Sequence, residues 1–182
     1  SLTCLPKTAW PPTSAAGSDA RMNGCVLPVM INSGSGNQGM TVSLPVAVFA
    51  DYLFADKEKE YRALVLSNLV AIYQKNELGK LSAYCGAVSA ATGAGAGIAY
   101  LHGADFDTIA ETITNTLANV SGIVCDGAKA SCAAKIASSV DAAIMAYYMA
   151  AEHRGFQSGE GLVKKDVEAT IKSFGRMGRE GM

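Results

Sequence analysis

Apolar and polar positions along most of this chain alternate at helical rather than strand spacing. Val42 to Phe54 reads as a helix, with Pro45 tolerated only in its first turn. A second helix begins in the charged stretch Asp56 to Glu60. It carries an apolar face of Leu64, Leu66, Leu69, Val70 and Tyr73, and ends at Gly79. Gly86 to Leu101 forms a third, closed by His102-Gly103. Its small residues Gly86, Ala90, Ala94 and Gly97 recur on one face, which lets another backbone approach closely. Asp105 caps a fourth helix, Phe106 to Val120, striped by Ile109, Ile113, Leu117 and Val120. After a break at Ser121 to Ala128, a fifth runs from Ala130 to Glu152 along Ile136, Val140, Ala143, Ile144 and Tyr147. A Gly-rich link, Gly155 to Gly161, leads to a last helix near Val163 to Phe174, and Gly175, Gly178 and Gly181 read as a frayed tail. Upstream, residues 22–31 are a short apolar run that fits either a strand or the end of a buried helix. The expected fold is all-α. It is a compact bundle of about five to six helices, with Gly/Ala-rich close packing and a Gly/Ser-rich anion-binding loop. Residues 1–14, with Pro6, Pro11 and Pro12, read as an irregular segment before a helical domain spanning 15–182.

Composition sharpens this picture. The chain has 182 residues, 30 of them Ala and 19 Gly, so helices must pack through small side chains. With 49% hydrophobic residues and a net charge of -1, disorder is excluded, as is a nucleic-acid binder that relies on a basic surface. No apolar run has the length and Leu/Ile/Phe content of a membrane span, and the first residues lack the apolar core of a signal peptide. Five cysteines without an export signal favour reduced thiols and a cytoplasmic location over a disulfide framework.

Two constellations carry chemistry. Cys85, Cys125 and Cys132 all fall at helix starts or breaks, where N–H groups and the helix dipole favour thiolates. Thiolates are the ligands of soft metals and iron–sulfur clusters, and three of them leave one coordination position open. Two other readings fit the same spacing. The cysteines can be small buried residues in tight packing, or three ligands of a zinc completed by His102 or His153. At helix ends those histidines otherwise read as solvated or dipole-stabilising. The second constellation is the run Asn32, Ser33, Gly34, Ser35, Gly36, Asn37, Gln38, Gly39. Its glycines satisfy a dinucleotide fingerprint, with Asp56 at the ribose-acid distance, but no alternating strands follow. The run also resembles the carboxylate-binding loop of pyridoxal-phosphate lyases. In either case, backbone N–H groups of a small-residue loop before a helix make an anion site, and a plain glycine-rich connector is the alternative. Asp126 and Lys129 flank Cys125, and Cys25 lies near the loop as a reactive or simply buried thiol.

Taken in order, SDARMNGC, NSGSGNQG, SAYCGAVSAATGAGAG and VCDGAKASC resemble the C-terminal half of the iron–sulfur L-serine dehydratase alpha-chain family. The L-cysteine desulfidase branch is the nearest in pattern, from about Ala15 onward. The resemblance implies a β-eliminating lyase that converts L-cysteine to pyruvate, ammonia and hydrogen sulfide, or L-serine to pyruvate and ammonia. It implies a [4Fe–4S] cluster on Cys85, Cys125 and Cys132 with one iron free, and substrate contacts from Asn32, Ser33, Gly34, Ser35, Gly36, Asn37 and Gln38. It also implies that the catalytic base lies upstream, in an N-terminal half of the same enzyme. Cys25 does not take that role, and a homodimer is compatible with the small-residue helices. A pyridoxal-phosphate lyase and a non-enzymatic helical module with structural zinc are the competing expectations.

Overall fold

The computed structural model describes residues 10–79 and 82–181. Among them lie seven helices and no strand: α1 (Trp10–Met22), α2 (Gly36–Tyr52), α3 (Lys57–Leu78), α4 (Gly86–Leu101), α5 (Phe106–Val120), α6 (Cys132–Ala151) and α7 (Val167–Glu180). The all-α expectation holds, and the third and fourth expected helices match α4 and α5 end to end.

Helix α4 is the axis of the bundle. Of its residues only Gly86 and Tyr100 escape full burial. A helix this rich in Gly has poor intrinsic propensity, at roughly 1 kcal/mol lost per Gly relative to Ala, so its neighbours must hold it. They do so by backbone contact. A Cβ on Gly93 would collide with the Ser67 carbonyl of α3. One on Gly97 would lie 2.9 Å from the Ala63 carbonyl, and one on Gly95 would lie 3.0 Å from Ala143 of α6. The close approach to α3 runs through Gly93 and Gly97; of the face Gly86, Ala90, Ala94 and Gly97 read from the sequence, Gly97 meets that backbone and Gly86 meets the Gln38 side chain. Around this axis Val46, Phe49, Ile98, Ile136, Val140 and Ile144 form one apolar cluster. Leu78, Tyr84, Ile113, Leu117, Ile171 and Phe174 form another, with the Tyr84 and Phe174 rings stacked at 5.5 Å.

Four sequence expectations change. First, α2 begins at Gly36, six residues earlier than expected, so Pro45 sits mid-helix and removes one backbone donor there. Burial of α2 compensates: Met40, Val42, Val46 and Phe49 are all core residues, and the Ser67 hydroxyl donates to the Val42 carbonyl at 2.7 Å. Second, residues 10–14 belong to α1, because Pro is accommodated where N–H groups of a first turn have no partner anyway. Residues 1–9 lie outside the described residues. Third, the apolar run 22–31 is neither strand nor buried helix: Val26 is 96% and Leu27 73% exposed. Fourth, Gly175 and Gly178 do not fray. They lie inside α7 and let it press on α3, a Cβ on Gly175 falling 2.7 Å from the Glu77 carbonyl.

His102 departs from the solvated reading too. Its ring stacks on Tyr147 at 5.0 Å and meets Phe49 at 6.1 Å, and its Nε2 is buried without a hydrogen-bond partner. Burial, helped by the nearby Lys59 charge, holds its pKa below the ordinary 6.5.

Two outcomes follow from this packing. Gly93→Ala should lower the unfolding free energy in urea by about 1–3 kcal/mol, as overpacking does. Gly122→Ala, which meets open space, should stay within about 0.5 kcal/mol of the parent. Because His102 is held neutral when folded, the unfolded chain binds more protons below about pH 6.5. Stability should therefore be complete above that value and fall as pH drops through it. Thermal melts of His102→Gln should show a shallower decline over the same range.

Candidate functional site

The segment 32–38 folds into two parts. Asn32 and Ser35 exchange both backbone hydrogen bonds, at 3.2 and 3.0 Å, across a tight turn with positive φ at Ser33 and Gly34. The Asn32 side chain is spent on anchoring: its Nδ2 donates to Asn68 Oδ1 of α3 at 2.9 Å, and its Oδ1 accepts from the Ser33 hydroxyl. Ser35 then caps α2, its hydroxyl accepting from the Gln38 N–H at 3.4 Å. Gly36, Asn37, Gln38 and Gly39 are thus the first helical turn rather than loop. The N–H groups of Gly36 and Asn37 have no intrahelical partner, the usual condition of a first turn. Gly39 is needed because the Met30 carbonyl crosses where its Cβ would be.

The three cysteines come from separate elements that meet at one end of the bundle. Cys85 is the N-cap of α4, Cys132 is the first residue of α6, and Cys125 lies in the connection before α6. A short antiparallel bridge, Tyr84 with Val124, brings the segments together. On either side of it Cys85 N–H donates to the Ile123 carbonyl at 2.9 Å and Cys125 N–H to the Ala83 carbonyl at 2.6 Å. The Cys132 sulfur accepts from the Lys129 N–H at 3.5 Å and lies 3.8 Å from the Gly127 carbonyl. Burial pushes the Cys85 thiol above the ordinary 9.0. The facing amides of Val88 and Ala87 pull it back without completing a cap hydrogen bond, and the other two cysteines push it up further. All four described cysteines are free thiols.

Lys135 was not singled out from the sequence, because a lone Lys in a helix reads as surface. About one turn into α6 it pairs with Asp126 and donates to the Val124 carbonyl at 3.0 Å, tying the Cys125 segment to α6. The Lys135 ammonium, principally through its hydrogen bond, holds the Asp126 carboxyl below the usual carboxylate range. Lys129 reaches only the Asp126 carbonyl, at 3.2 Å. Arg21, at the end of α1, is a second residue the sequence reading passed over. Its Nη1 donates to Asn37 Oδ1 at 3.1 Å.

The two constellations touch. Gln38, buried at 7% exposure, lays its side-chain amide against Gly86: a Cβ there would lie 2.5 Å from Gln38 Nε2. The first turn of α2 therefore abuts the first turn of α4, beside Cys85. The histidines do not join them. His102 and His153 follow the far ends of α4 and α6, roughly 24 Å or more from the cysteine ends at 1.5 Å per residue. This removes the zinc site of three cysteines and a histidine. Among the described residues no group of three His, Cys, Asp or Glu side chains has the arrangement of a metal-ion site. No described helix is long and apolar enough to cross a membrane.

Comparison with known proteins agrees with the pattern. The family model for the serine dehydratase alpha chain matches residues 11–182. A UPF0597 protein of Lachnoclostridium phytofermentans is 66% identical over 168 residues, which covers 92% of this chain and 40% of that relative. UPF0597 proteins of Desulfitobacterium hafniense and Treponema denticola are 59% and 52% identical, over 93% and 92% of this chain. In each case the chain spans 39–40% of the relative's length. No solved structure is significantly similar to the chain.

The thiols should differ in reactivity. Cys25 and Cys125 are exposed, whereas Cys85 and Cys132 are buried. Iodoacetamide at neutral pH, read by peptide mass mapping, should label Cys25 and Cys125 first. Labelling of Cys85 should lag and rise only as pH climbs past its ordinary 9.0. Equal labelling of Cys85 and Cys125 at neutral pH would contradict this geometry.

Proposed function

Because the chain belongs to the serine dehydratase alpha chain family, we propose that it carries the substrate-binding and cluster-binding part of a β-eliminating lyase. L-cysteine is the proposed substrate and L-serine the alternative. The observation that carries this reading is the contact of Gln38 with Gly86. It sets a donor-lined first turn directly beside a corner of three free thiols, which is what a small amino acid held between an anion site and a cluster requires.

Cys85, Cys125 and Cys132 are the proposed ligands of a [4Fe–4S] cluster. The donor set fits: three thiols from three elements, two of them at helix N-termini, none spent in a disulfide. When bound, the group supplies Lewis acidity at an iron without a protein ligand, suited to a leaving thiol or hydroxyl. The protein's own part is positioning. Gly36 and Asn37 offer backbone N–H groups to the carboxylate, with Gln38 between that carboxylate and the cysteine corner. Asn32 and Ser33 hold the turn rather than contact substrate, because their polar atoms already serve one another and Asn68. Lys135 and Asp126 fix the Cys125 segment. A base beyond these residues takes the Cα proton as the Cβ–S bond breaks. The aminoacrylate released then hydrolyses to pyruvate and ammonia.

In this reading the base lies in the part of the longer family protein outside these residues; this chain spans only 39–40% of the length of the relatives it matches. The exposed apolar residues Val26, Leu27, Met30 and Ile31, just before the substrate turn, support contact with that part.

Anaerobic reconstitution with iron and sulfide should give a brown protein with about four iron atoms per chain. Cys85→Ala, Cys125→Ala or Cys132→Ala should each remove the visible absorption, while Cys25→Ala keeps it. The longer family protein so loaded should release sulfide from L-cysteine or pyruvate from L-serine. A colourless protein after reconstitution, or one with a borohydride-sensitive Schiff-base band in its place, would overturn the reading.

A further inference from the structure

Asn37 and Gln38, in the first turn of α2, are 5% and 7% exposed. Amides buried this far are normally fully hydrogen-bonded. Asn37 has one side-chain bond, from Arg21 Nη1 at 3.1 Å. A guanidinium has donors and no acceptor, so this bond fixes the Asn37 amide with its oxygen toward Arg21 and its NH2 group turned away. Among the described residues that NH2 group has no partner, and neither does the side-chain amide of Gln38; these atoms are not fully sealed from solvent, so a ligand can reach them.

The charge beside them is equally unusual. The Arg21 Nε lies 2.8 Å from where a Cβ on Gly36 would be, so a full positive charge sits against the positive end of α2. Helix N-termini ordinarily attract carboxylates. The end of α1, which carries Arg21 in its last turn, offsets part of that charge. Among the described residues no carboxylate pairs with it. The polar groups gathered here are mostly donors: the guanidinium, the N–H groups of Gly36 and Asn37, and the Asn37 and Gln38 amide NH2 groups, with the Gln38 oxygen as an acceptor beside them.

We infer that Arg21 is the charged partner of the substrate carboxylate and, by holding the Asn37 oxygen, sets the direction of the amide donors around it. The inference rests on the reading that the α2 first turn receives that carboxylate. It adds a residue from α1, and it assigns Asn37 to donation. A set dominated by donors and one guanidinium charge favours the carboxylate over the ammonium, so it also biases which end of the amino acid enters first. Lysine is a poor substitute, because a point charge does not hold the Asn37 oxygen and the ligand in one plane.

The test is amide NMR of the isotope-labelled chain, titrated with L-serine and with L-serinamide, which lacks the carboxylate. In the parent protein the Gly36, Asn37 and Gln38 signals should shift to saturation with L-serine and stay still with L-serinamide. Arg21→Gln should weaken L-serine binding at least about tenfold, the loss expected for a charge-assisted bond, with an unchanged circular dichroism spectrum. Asn37→Asp supplies a built-in carboxylate to Arg21, so it should abolish L-serine binding while raising the melting temperature. If Arg21→Gln binds L-serine as tightly as the parent through the same amides, or if Asn37→Asp melts lower, the role of Arg21 is overturned and the carboxylate turn survives. If the parent shows no response to L-serine, the turn itself is overturned, and Arg21 with it.

Discussion

The structure depends on one constraint: helix α4 has almost no side chains of its own with which to hold itself in place. Between Gly86 and Ala99 its bulkiest residues are Val88 and Ile98. Burial of Cβ atoms alone removes little apolar surface, so the gain must come from dispersion at very short range. That requires the backbones of α3 and α6 to lie against Gly93, Gly97 and Gly95. Once they do, α4 cannot slide or rotate without a carbonyl meeting a Cβ. The small-residue composition, which looks like a weakness in propensity, becomes a positional lock.

What the lock positions is the N-terminal end of α4. Cys85 and Gly86 are fixed there, and the helices around them bring their own N-termini to the same corner: α2 through Gln38 on Gly86, and α6 through Cys132. Three positive dipole ends share one small region. Asp126, the carboxylate next to Cys125, is spent on Lys135. The corner is consequently rich in donors and positive potential. Thiolate ligands and the carboxylate of a small amino acid are both anionic, so a single electrostatic arrangement serves the two halves of the proposed site.

Much of this was legible in the sequence, and the reasons differ by element. Helices α4 and α5 were read to their ends because each has local punctuation: Asp105 caps α5, and His102-Gly103 closes α4. The α2 start was not, because Ser35-Gly36-Asn37-Gln38-Gly39 is loop chemistry by composition and becomes helix only through burial against α3 and α4. The tail glycines misled for the same reason: Gly175 and Gly178 look like breaks locally but are contact points with α3. The fold followed from helical periodicity and the family from the order of motifs. The link between the proposed substrate turn and the cysteine corner did not, because the sequence separates Gln38 from Gly86 by 48 positions of which no local pattern speaks. Arg21 was unreadable for a sharper reason, since its meaning lies in a missing partner, and a missing partner is a property of three dimensions.

The acidity of Cys85 follows from the same crowding. Its amide neighbours Val88 and Ala87 favour the thiolate, yet burial and the two nearby cysteines outweigh them and keep the thiol protonated. A lone helix N-cap cysteine in water would show the reverse, because exposure removes the desolvation penalty and leaves the dipole to act. The sign of the shift therefore separates Cys85 from a reactive thiol. Cys85 is poor as a nucleophile at neutral pH, and it gains its anionic form only with a positive partner close by. A corner that keeps the Cys85 thiol protonated when alone, but gathers three thiols on one rigid frame, suits the proposed role of holding a cationic metal group.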